Sequence, residues 1–241
     1  MTSLEENTVT SLATAARSFL LAAPDVSRLT ALRRSTALFS QDQVADSVYY
    51  IEDGLIKLTR TNGAGGRIIL AVCGAGHIIG EEVLCEGSQT YYTEAEVLTL
   101  ANVYRISRET LLRSFSNNPE LAGALLDYLL QRKLALAQKV ELLCLHDVEY
   151  RILHYLAELS KLVKPSEDGE GYQLPITQLE LADLIGATRE TTSTTLNQLE
   201  RRGLVKLSRR LLTIPSPVTL RDAASAKLAP VHAESNTHMT S

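Results

Sequence analysis

The stretch ITQLELADLIGATRETTSTTLNQLERRGLV, Ile176–Val205, leaves a folding chain few choices, because it encodes two short helices around a glycine-centred turn. Thr177 with Glu180 three residues later is a capping-box pattern: the threonine oxygen and the glutamate satisfy backbone N–H groups that a helix start leaves unpaired. Leu181, Ala182, Leu184 and Ile185 supply an apolar side, Gly186 permits the sharp turn, and Thr188 is placed to cap the next helix. Leu196 and Leu199 anchor that second helix from behind and leave Arg189, Glu190, Thr191, Ser193, Thr194 and Asn197 on its front. Arginine bonds bidentately to guanine, and glutamate accepts from the cytosine amino group. The N-terminal end of such a helix is the part that enters a major groove. The segment therefore reads as a DNA-reading helix-turn-helix, set against an ordinary helical hairpin with a solvated polar face.

The residues that follow favour the first reading. Leu204–Lys206 and Leu211–Ile214 flank Ser208-Arg209-Arg210, the pattern of a β-hairpin wing with cations at its tip. Between Thr177 and Ile214 the bases Arg189, Arg201, Arg202, Lys206, Arg209 and Arg210 outnumber the acids Glu180, Asp183, Glu190 and Glu200. A locally basic module thus sits in a chain of net charge −4. The local excess governs, since attraction to phosphate acts within about a Debye length.

The rest of the composition narrows the class. A length of 241 residues, with 45% hydrophobic and 22% charged side chains, suits one large or two modest globular domains. No apolar run approaches the roughly 20 residues of a membrane helix. Acidic residues near the start (Glu5, Glu6) and the lack of a basic segment there argue against a secretory signal. Cys73, Cys85 and Cys144 are odd in number and scattered, which argues against a disulfide framework or a cysteine zinc site and predicts a reducing cytoplasm.

Along the chain, residues 1–30 read as a helical lead-in with Leu12, Ala15, Ala16, Phe19 and Leu20 on one side. From Ala37 to Ile106 the pattern changes to short β-type runs, namely Ser47–Ile51, Leu55–Thr61, Arg67–Cys73, His77–Ile79 and Ala95–Ile106, punctuated by glycine. Several short strands at this spacing predict a sandwich or barrel, and Asn62-Gly63 with Gly65-Gly66 fits a hairpin turn. From Pro119 the signal becomes helical. Leu129, Leu136 and Leu143 recur at seven, with Leu126 and Val140 between them and Lys133 interrupting, a seam suited to pairing two helices. The alternative is a stripe that covers its own β domain, but a helix of roughly 26 residues reaches about 40 Å, too long for that. His146–Ser160 is a further amphipathic helix, Lys164–Tyr172 a polar loop, and the tail from Arg221 small, polar and aperiodic.

A β-rich module, a long helix and a winged helix-turn-helix, in that order, resemble the CRP/FNR family of bacterial transcription regulators. The segments that carry the likeness are Leu38–Arg60, Gly74–Leu84, Asp147–Ile152 and Ile176–Thr192. The resemblance implies an α+β chain: a lead-in over 1–30, a jelly-roll-like cyclic-nucleotide-binding β-roll over 31–118, and a dimerisation helix over 119–145. A winged helix-turn-helix over 146–219 and a disordered tail over 220–241 follow. The implied protein is a cytoplasmic homodimer that binds an inverted-repeat operator in double-stranded DNA and contacts RNA polymerase. Its dimer seam is Leu126, Leu129, Leu136, Val140 and Leu143.

The resemblance also carries the site residues. Arg189 and Glu190 fall on the family's principal base-reading positions, and Thr194 stands at a third that is usually arginine, so a half-site related to but distinct from TGTGA is implied. Thr177, Gln178, Thr188, Thr191, Asn197, Arg209 and Arg210 are assigned to the DNA backbone. The effector pocket is expected at Gly80, Glu81, Glu82, Val83, Tyr91, Tyr92, Leu136 and Ala137. There the chain departs from the cyclic-AMP-binding members, whose cassette opens with Gly-Glu and closes with Arg-Ser. Gly80-Glu81 open it, but Tyr91-Tyr92 stand at its close, read as packing residues, and Leu136 and Ala137 replace the hydroxyls offered to adenine. A phosphate without its arginine loses a bidentate, charge-assisted partner, so a signal other than cyclic AMP is expected. An iron–sulfur sensor needs about four clustered thiolates, which this chain lacks. A haem-dependent gas or redox sensor stays open, with His77, Cys73 or Cys85 as candidate ligands and His77 itself read as a surface residue. The first β turn, Gln-Gly-Asp in the family, is Gln41-Asp42-Gln43 here, which puts its geometry in question.

Two other classes compete. A cupin-like enzyme would need two or three convergent histidines and a carboxylate, whereas the β region holds only His77, and no catalytic triad or phosphate-binding loop is visible. A ligand-binding adaptor that never touches DNA is opposed by Arg189 and Glu190 at the reading positions. No catalytic residue and no metal site is expected.

Overall fold

The computed structural model describes residues 25–87 and 90–228. The chain divides into two compact units, Met1–Leu145 and His146–Ser241. The stretch around Leu12, Ala15, Ala16, Phe19 and Leu20 lies outside the described residues.

The first unit is built from strands β1 (Val26–Leu32), β2 (Ala37–Phe39), β3 (Ser47–Asp53), β4 (Ile56–Thr61), β5 (Arg67–Cys73), β6 (Ile78–Ile79), β7 (Glu94–Val97) and β8 (Ala101–Ser107). They form two antiparallel sheets, ordered β1-β8-β3-β6 and β2-β7-β4-β5. Phe39, Tyr49, Ile51, Ile56, Leu58, Val97 and Val103 fill one core. Strand side chains alternate between faces, so Val48 and Tyr50 of β3 point the other way, into a second core built with helices. This two-sided burial explains why β3 reads as an unbroken apolar run rather than an alternating one. The β4–β5 hairpin turns at Asn62–Gly66, where the Asn62 N–H donates to Gly66 O and the Gly65 N–H to Asn62 O.

Helices α1 (Arg108–Asn117) and α2 (Pro119–Leu145) complete this unit. Ser107 caps α1 by accepting from the Thr110 N–H. Leu111 of α1 and Leu121, Leu125 and Tyr128 of α2 pack on Val48, Tyr50, Ile78 and Ile106. Three expectations are corrected here. Residues 26–30 are strand rather than helical lead-in, because β1 pairs along β8. The run Ala95–Ile106 is two strands, since the chain turns at Leu98–Leu100 to pass between sheets. The helical region begins before Pro119, because Ser107 supplies a helix cap.

The second unit comprises α3 (Val148–Leu159), β9 (Tyr172–Leu174), α4 (Gln178–Ile185), α5 (Arg189–Arg201), β10 (Lys206–Leu207), β11 (Leu212–Ile214) and α6 (Pro217–Leu228). Asp147 caps α3 by accepting from the Tyr150 N–H. A small sheet, β10-β11-β9, carries the wing. The supposed loop Lys164–Tyr172 ends in β9, held to β11 by the pairing Tyr172↔Ile214. The supposed disordered tail is helical as far as Leu228 and lies along α3. Its buried side chains are only Leu220 and Ala224, four residues apart, while Val218 and Leu228 are exposed, so no long apolar stripe marks it. No helix among the described residues is long and apolar enough to cross a membrane.

Leu220 is wholly buried. Leu220→Ala is expected to cost the second unit about 2–5 kcal/mol of stability through lost burial and the residual cavity. Calorimetric unfolding checks this; an unchanged transition would mean that α6 is not part of the folded unit.

Candidate nucleic-acid interface and effector cassette

The helix-turn-helix forms as its residues dictate. Thr177 and Glu180 make the reciprocal capping box at the start of α4, with Glu180 also accepting the Thr177 hydroxyl proton at 2.9 Å. Gly186 ends α4 at φ 62°, in the left-handed region that costs glycine nothing. Thr188 then caps α5 by accepting from the Thr191 N–H. Leu196, Leu199 and Thr192 face inward, and the Thr192 hydroxyl donates to Thr188 O. Glu190, Thr194 and Asn197 lie along the exposed side, with Arg189 exposed at the helix start and Thr191 beside it. Arg201, to which no role was assigned from sequence, continues the same face three turns on.

The wing is a tight hairpin in which the Ser208 N–H donates to Leu211 O, placing Arg209 and Arg210 exposed at its tip. Glu200 fastens it to α5 by accepting from the Leu207 N–H at 2.7 Å. The basic excess of this region is smaller than a residue count implies. Arg202 pairs with Glu149 and Lys206 with Glu170. Arg189, Arg201, Arg209 and Arg210 form no ion pair among the described residues, and all four are exposed. The Thr177 hydroxyl is spent on its cap, and Gln178 is half-buried.

The cassette of the β-roll is occupied by the protein's own side chains. Gly80, at φ 82°, leads into the short turn Glu81–Leu84, and a Cβ there would stand 3.1 Å from Ser47 O and from the Tyr91 ring. Tyr91 is fully buried, its hydroxyl donating to Ser47 O at 2.6 Å and accepting from the Ser47 N–H at 3.1 Å. Its ring stacks on Phe39 at 4.0 Å, and loss of solvation pushes its pKa up to about 12. Tyr92 points outward, with the Arg60 guanidinium 4.5 Å from its ring centroid. Asp42 adopts φ 64°, so the first β turn keeps a left-handed residue where the family has glycine, steadied by Gln41 and Arg60.

Sequence reasoning missed Arg132 and Lys139. Both lie on the stripe of α2 that faces its own β-roll, between the buried residues Tyr128 and Leu142. Arg132 pairs with Glu81 at 3.4 Å and donates to Ile78 O and the Tyr128 hydroxyl. It also lies 3.6 Å from the Cys73 sulfur. Lys139 donates to Ile69 O at 2.9 Å. Their charge hides them from a search for apolar periodicity, although each falls in step with Leu121, Leu125, Tyr128 and Leu142. Glu81, expected in the effector pocket, is paired with Arg132, while Val83 is buried and one Glu82 oxygen, Oε2, is buried without a hydrogen bond.

Leu136 and Ala137 are exposed rather than lining a cavity over the cassette. Of the expected seam, Leu126, Leu136 and Val140 are exposed, whereas Leu129 and Leu143 are half-buried, Leu129 against its own core. Leu130 and Leu134 are exposed as well, so the apolar side of α2 is turned toward them from the phase read in the sequence. The haem ligands do not fit. Cys73 is buried beneath Arg132, where desolvation raises its pKa and keeps the thiol protonated. His77 is half-buried rather than on the surface, with Nδ1 on Gly74 O and its ring edge-on to Tyr128. Cys85 is exposed. No group of three or more metal-binding side chains converges among the described residues.

Comparison with known proteins follows the same division. Residues 29–118 match the cyclic nucleotide-binding domain family and residues 150–223 the Crp-like helix-turn-helix domain family. The nitrogen fixation regulation protein FixK of Azorhizobium caulinodans is 29% identical over 74% of this chain and 72% of its own. The cAMP-activated global transcriptional regulator CRP of Salmonella typhimurium is 27% identical over 74% and 85%. Among solved structures, the c-di-GMP responsive global regulator CLP of Xanthomonas campestris is 26% identical, covers 84% of this chain and 99% of its own, and has a TM-score of 0.69.

Lys139 yields a test of the buried stripe. Desolvation lowers its pKa to about 8, below the free-lysine value near 10.4. Between those values the unfolded chain binds more protons than the folded one, so stability rises with pH, and the contribution is lost as pH falls through 8. Thermal melts from pH 7.5 to 9.5 are expected to show this gain, and Lys139→Met to flatten it.

Proposed function

The chain belongs to the CRP/FNR family and is a DNA-binding transcription regulator of that type, and on that premise we propose that two copies pair through α2 and read an inverted repeat under a signal other than cyclic AMP. The observation that carries the DNA reading is α5 itself. Thr188 caps it, Arg189 and Glu190 stand exposed at its start, and nothing in the described fold spends their polar groups. In this reading Arg189 donates to a guanine and Glu190 accepts from a cytosine, while Thr194 contacts a third base with weaker preference. Thr188, Thr191, Asn197, Arg209 and Arg210 hold the backbone, with Gln178 beside them and Thr177 serving as the helix cap. The output partner is RNA polymerase, and the site of action is the cytoplasm.

Pairing through α2 is supported by its unspent apolar side. Leu126, Leu130, Leu134, Leu136 and Val140 are exposed over about four turns, with Lys133 among them. Burying such a side is worth about 25 cal/mol per Å². The signal is argued from Tyr91, whose buried ring and Ser47 hydrogen bonds stand where a cyclic phosphate would need an arginine. Relatives do not decide it: one is named for nitrogen fixation, one for activation by cyclic AMP and one for response to c-di-GMP.

Leu136→Glu is expected to give monomers in analytical ultracentrifugation; a dimeric variant would remove α2 as the interface. Calorimetric titration with cyclic AMP is expected to show no binding in the micromolar range, and a micromolar dissociation constant would overturn that part of the reading. Arg189→Ala should cost roughly 1–3 kcal/mol and relax preference at one base pair per half-site. Arg209→Ala should weaken all sequences alike and flatten the salt dependence. Selection from a randomised operator pool at two salt concentrations separates these. A uniform loss in Arg189→Ala would make that arginine a phosphate contact.

A further inference from the structure

The first turn of α3 follows directly on the point where the chain passes from its first unit to its second. Two of its charged side chains, which make no contact with one another, reach the turn that precedes the reading helix and the residue that closes it. Residues i and i+2 of a helix do not face each other, so Glu149 and Arg151 serve different neighbours. Arg151 donates from Nη1 to Ile185 O at 2.8 Å and reaches Gly186 O at 3.5 Å. These are carbonyls that the end of α4 leaves unpaired, where the helix dipole also favours a cation. They belong to the turn from which Thr188, Arg189 and Glu190 depart. Glu149 accepts from Arg202 Nη1 at 2.6 Å, and Arg202 is the residue that closes α5.

We propose that Glu149 and Arg151 are positioning residues for DNA reading: from one turn of α3, Arg151 holds the turn that leads into α5 and Glu149 holds the residue that closes it, and together they set the pose of its base-reading face. The proposal rests on the assignment of α5 as the reading helix. The thirteen residues of α5 span about 20 Å at 1.5 Å per residue. Leu196 and Leu199 fix the inner side of α5, and polar contacts at the preceding turn and at its closing residue limit its remaining tilt and rotation.

The surroundings fit this role. The second carboxylate oxygen of Glu149 accepts from Lys227 at 2.8 Å, and Lys227 also pairs with Asp147. The end of α6 is thereby tied to the same turn. The Lys227 hydrogen bond, against desolvation and with Arg202 adding to it, holds the Glu149 carboxyl below its usual range. The grip is therefore charged at neutral pH. Arg151 keeps its Nε buried without a hydrogen-bond partner, which costs stability rather than adding it. Its Nη1 contact to the helix-turn-helix is what its placement secures.

The test uses the full chain with Glu149→Gln, Arg202→Gln, their double variant, Arg151→Gln and Arg151→Lys. Affinity is measured for the operator selected by the wild type and for unrelated DNA, with amide hydrogen exchange along α5 as a DNA-independent reading. Each single change at Glu149 or Arg202 is expected to weaken operator binding about two- to five-fold, the scale of a part-exposed ion pair, and to leave unrelated DNA nearly unaffected. The double variant should be no worse than the worse single one, since both remove one interaction. Exchange should quicken at the end of α5 for these variants and at its start for Arg151→Gln, with Arg151→Lys recovering part of the protection. Additive losses, equal losses on both DNAs, or unchanged exchange in α5 overturn the grip. If Arg151→Gln does not fold, the Glu149–Arg202 cycle decides alone. A wild type that selects no operator overturns the reading-helix assignment itself, a result distinct from unchanged exchange.

Discussion

Helix α2 has two apolar sides, and most of this structure depends on that. One side closes the second core of the β-roll through Leu121, Leu125 and Tyr128. The other leaves Leu126, Leu130, Leu134, Leu136 and Val140 in solvent. A helix with an ordinary apolar stripe would be satisfied by its own domain. Here the first side is completed by Arg132 and Lys139, whose long stems pack while their heads find Ile78 O, Glu81 and Ile69 O. The charges fix the rotation of α2 on the roll, because each head must meet a specific oxygen. That rotation decides which leucines remain outside, so the exposed apolar side of α2 is set by the interior polar contacts.

The same contacts bear on the effector cassette. Glu81, which heads the cassette turn, is joined to Arg132 on α2, and Tyr91 fills the interior with a stacked ring and two bonds to Ser47. The cassette is thus linked to α2 by an ion pair of the protein itself. A buried tyrosine at the position of the family's arginine exchanges a phosphate-binding charge for dispersion and neutral hydrogen bonds, which need no counter-charge. In the second unit the logic is different. There the exposed side of α5 and the wing tip carry unpaired arginines, while Arg202 and Lys227 are neutralised by Glu149 and Asp147.

Local chemistry made much of this legible. The capping box at Thr177, the turn at Gly186 and the cap at Thr188 are decisions between neighbours in sequence, and they form as written. The hairpin at Asn62–Gly66 and the wing tip at Arg209-Arg210 are of the same kind. Strand β1 and helix α6 were not legible, for their stabilisation comes from β8 and α3, far away in the chain. Asp42 was misleading in the opposite sense, since its turn survives through Gln41 and Arg60 although its residue type departs from glycine.

What the sequence by itself determined is the order of modules, the helix-turn-helix and which side of its second helix faces solvent, because caps, turns and a 3.6-residue period act over a few residues. What only the tertiary structure decided is the phase of α2, the filling of the cassette by Tyr91 and Arg132, and the contacts of Glu149 with Arg202 and of Arg151 with Ile185 O. Each of these depends on a charged or polar group meeting an oxygen tens of residues away. The strength of such a contact is set by burial and distance, which no local pattern of residue types encodes.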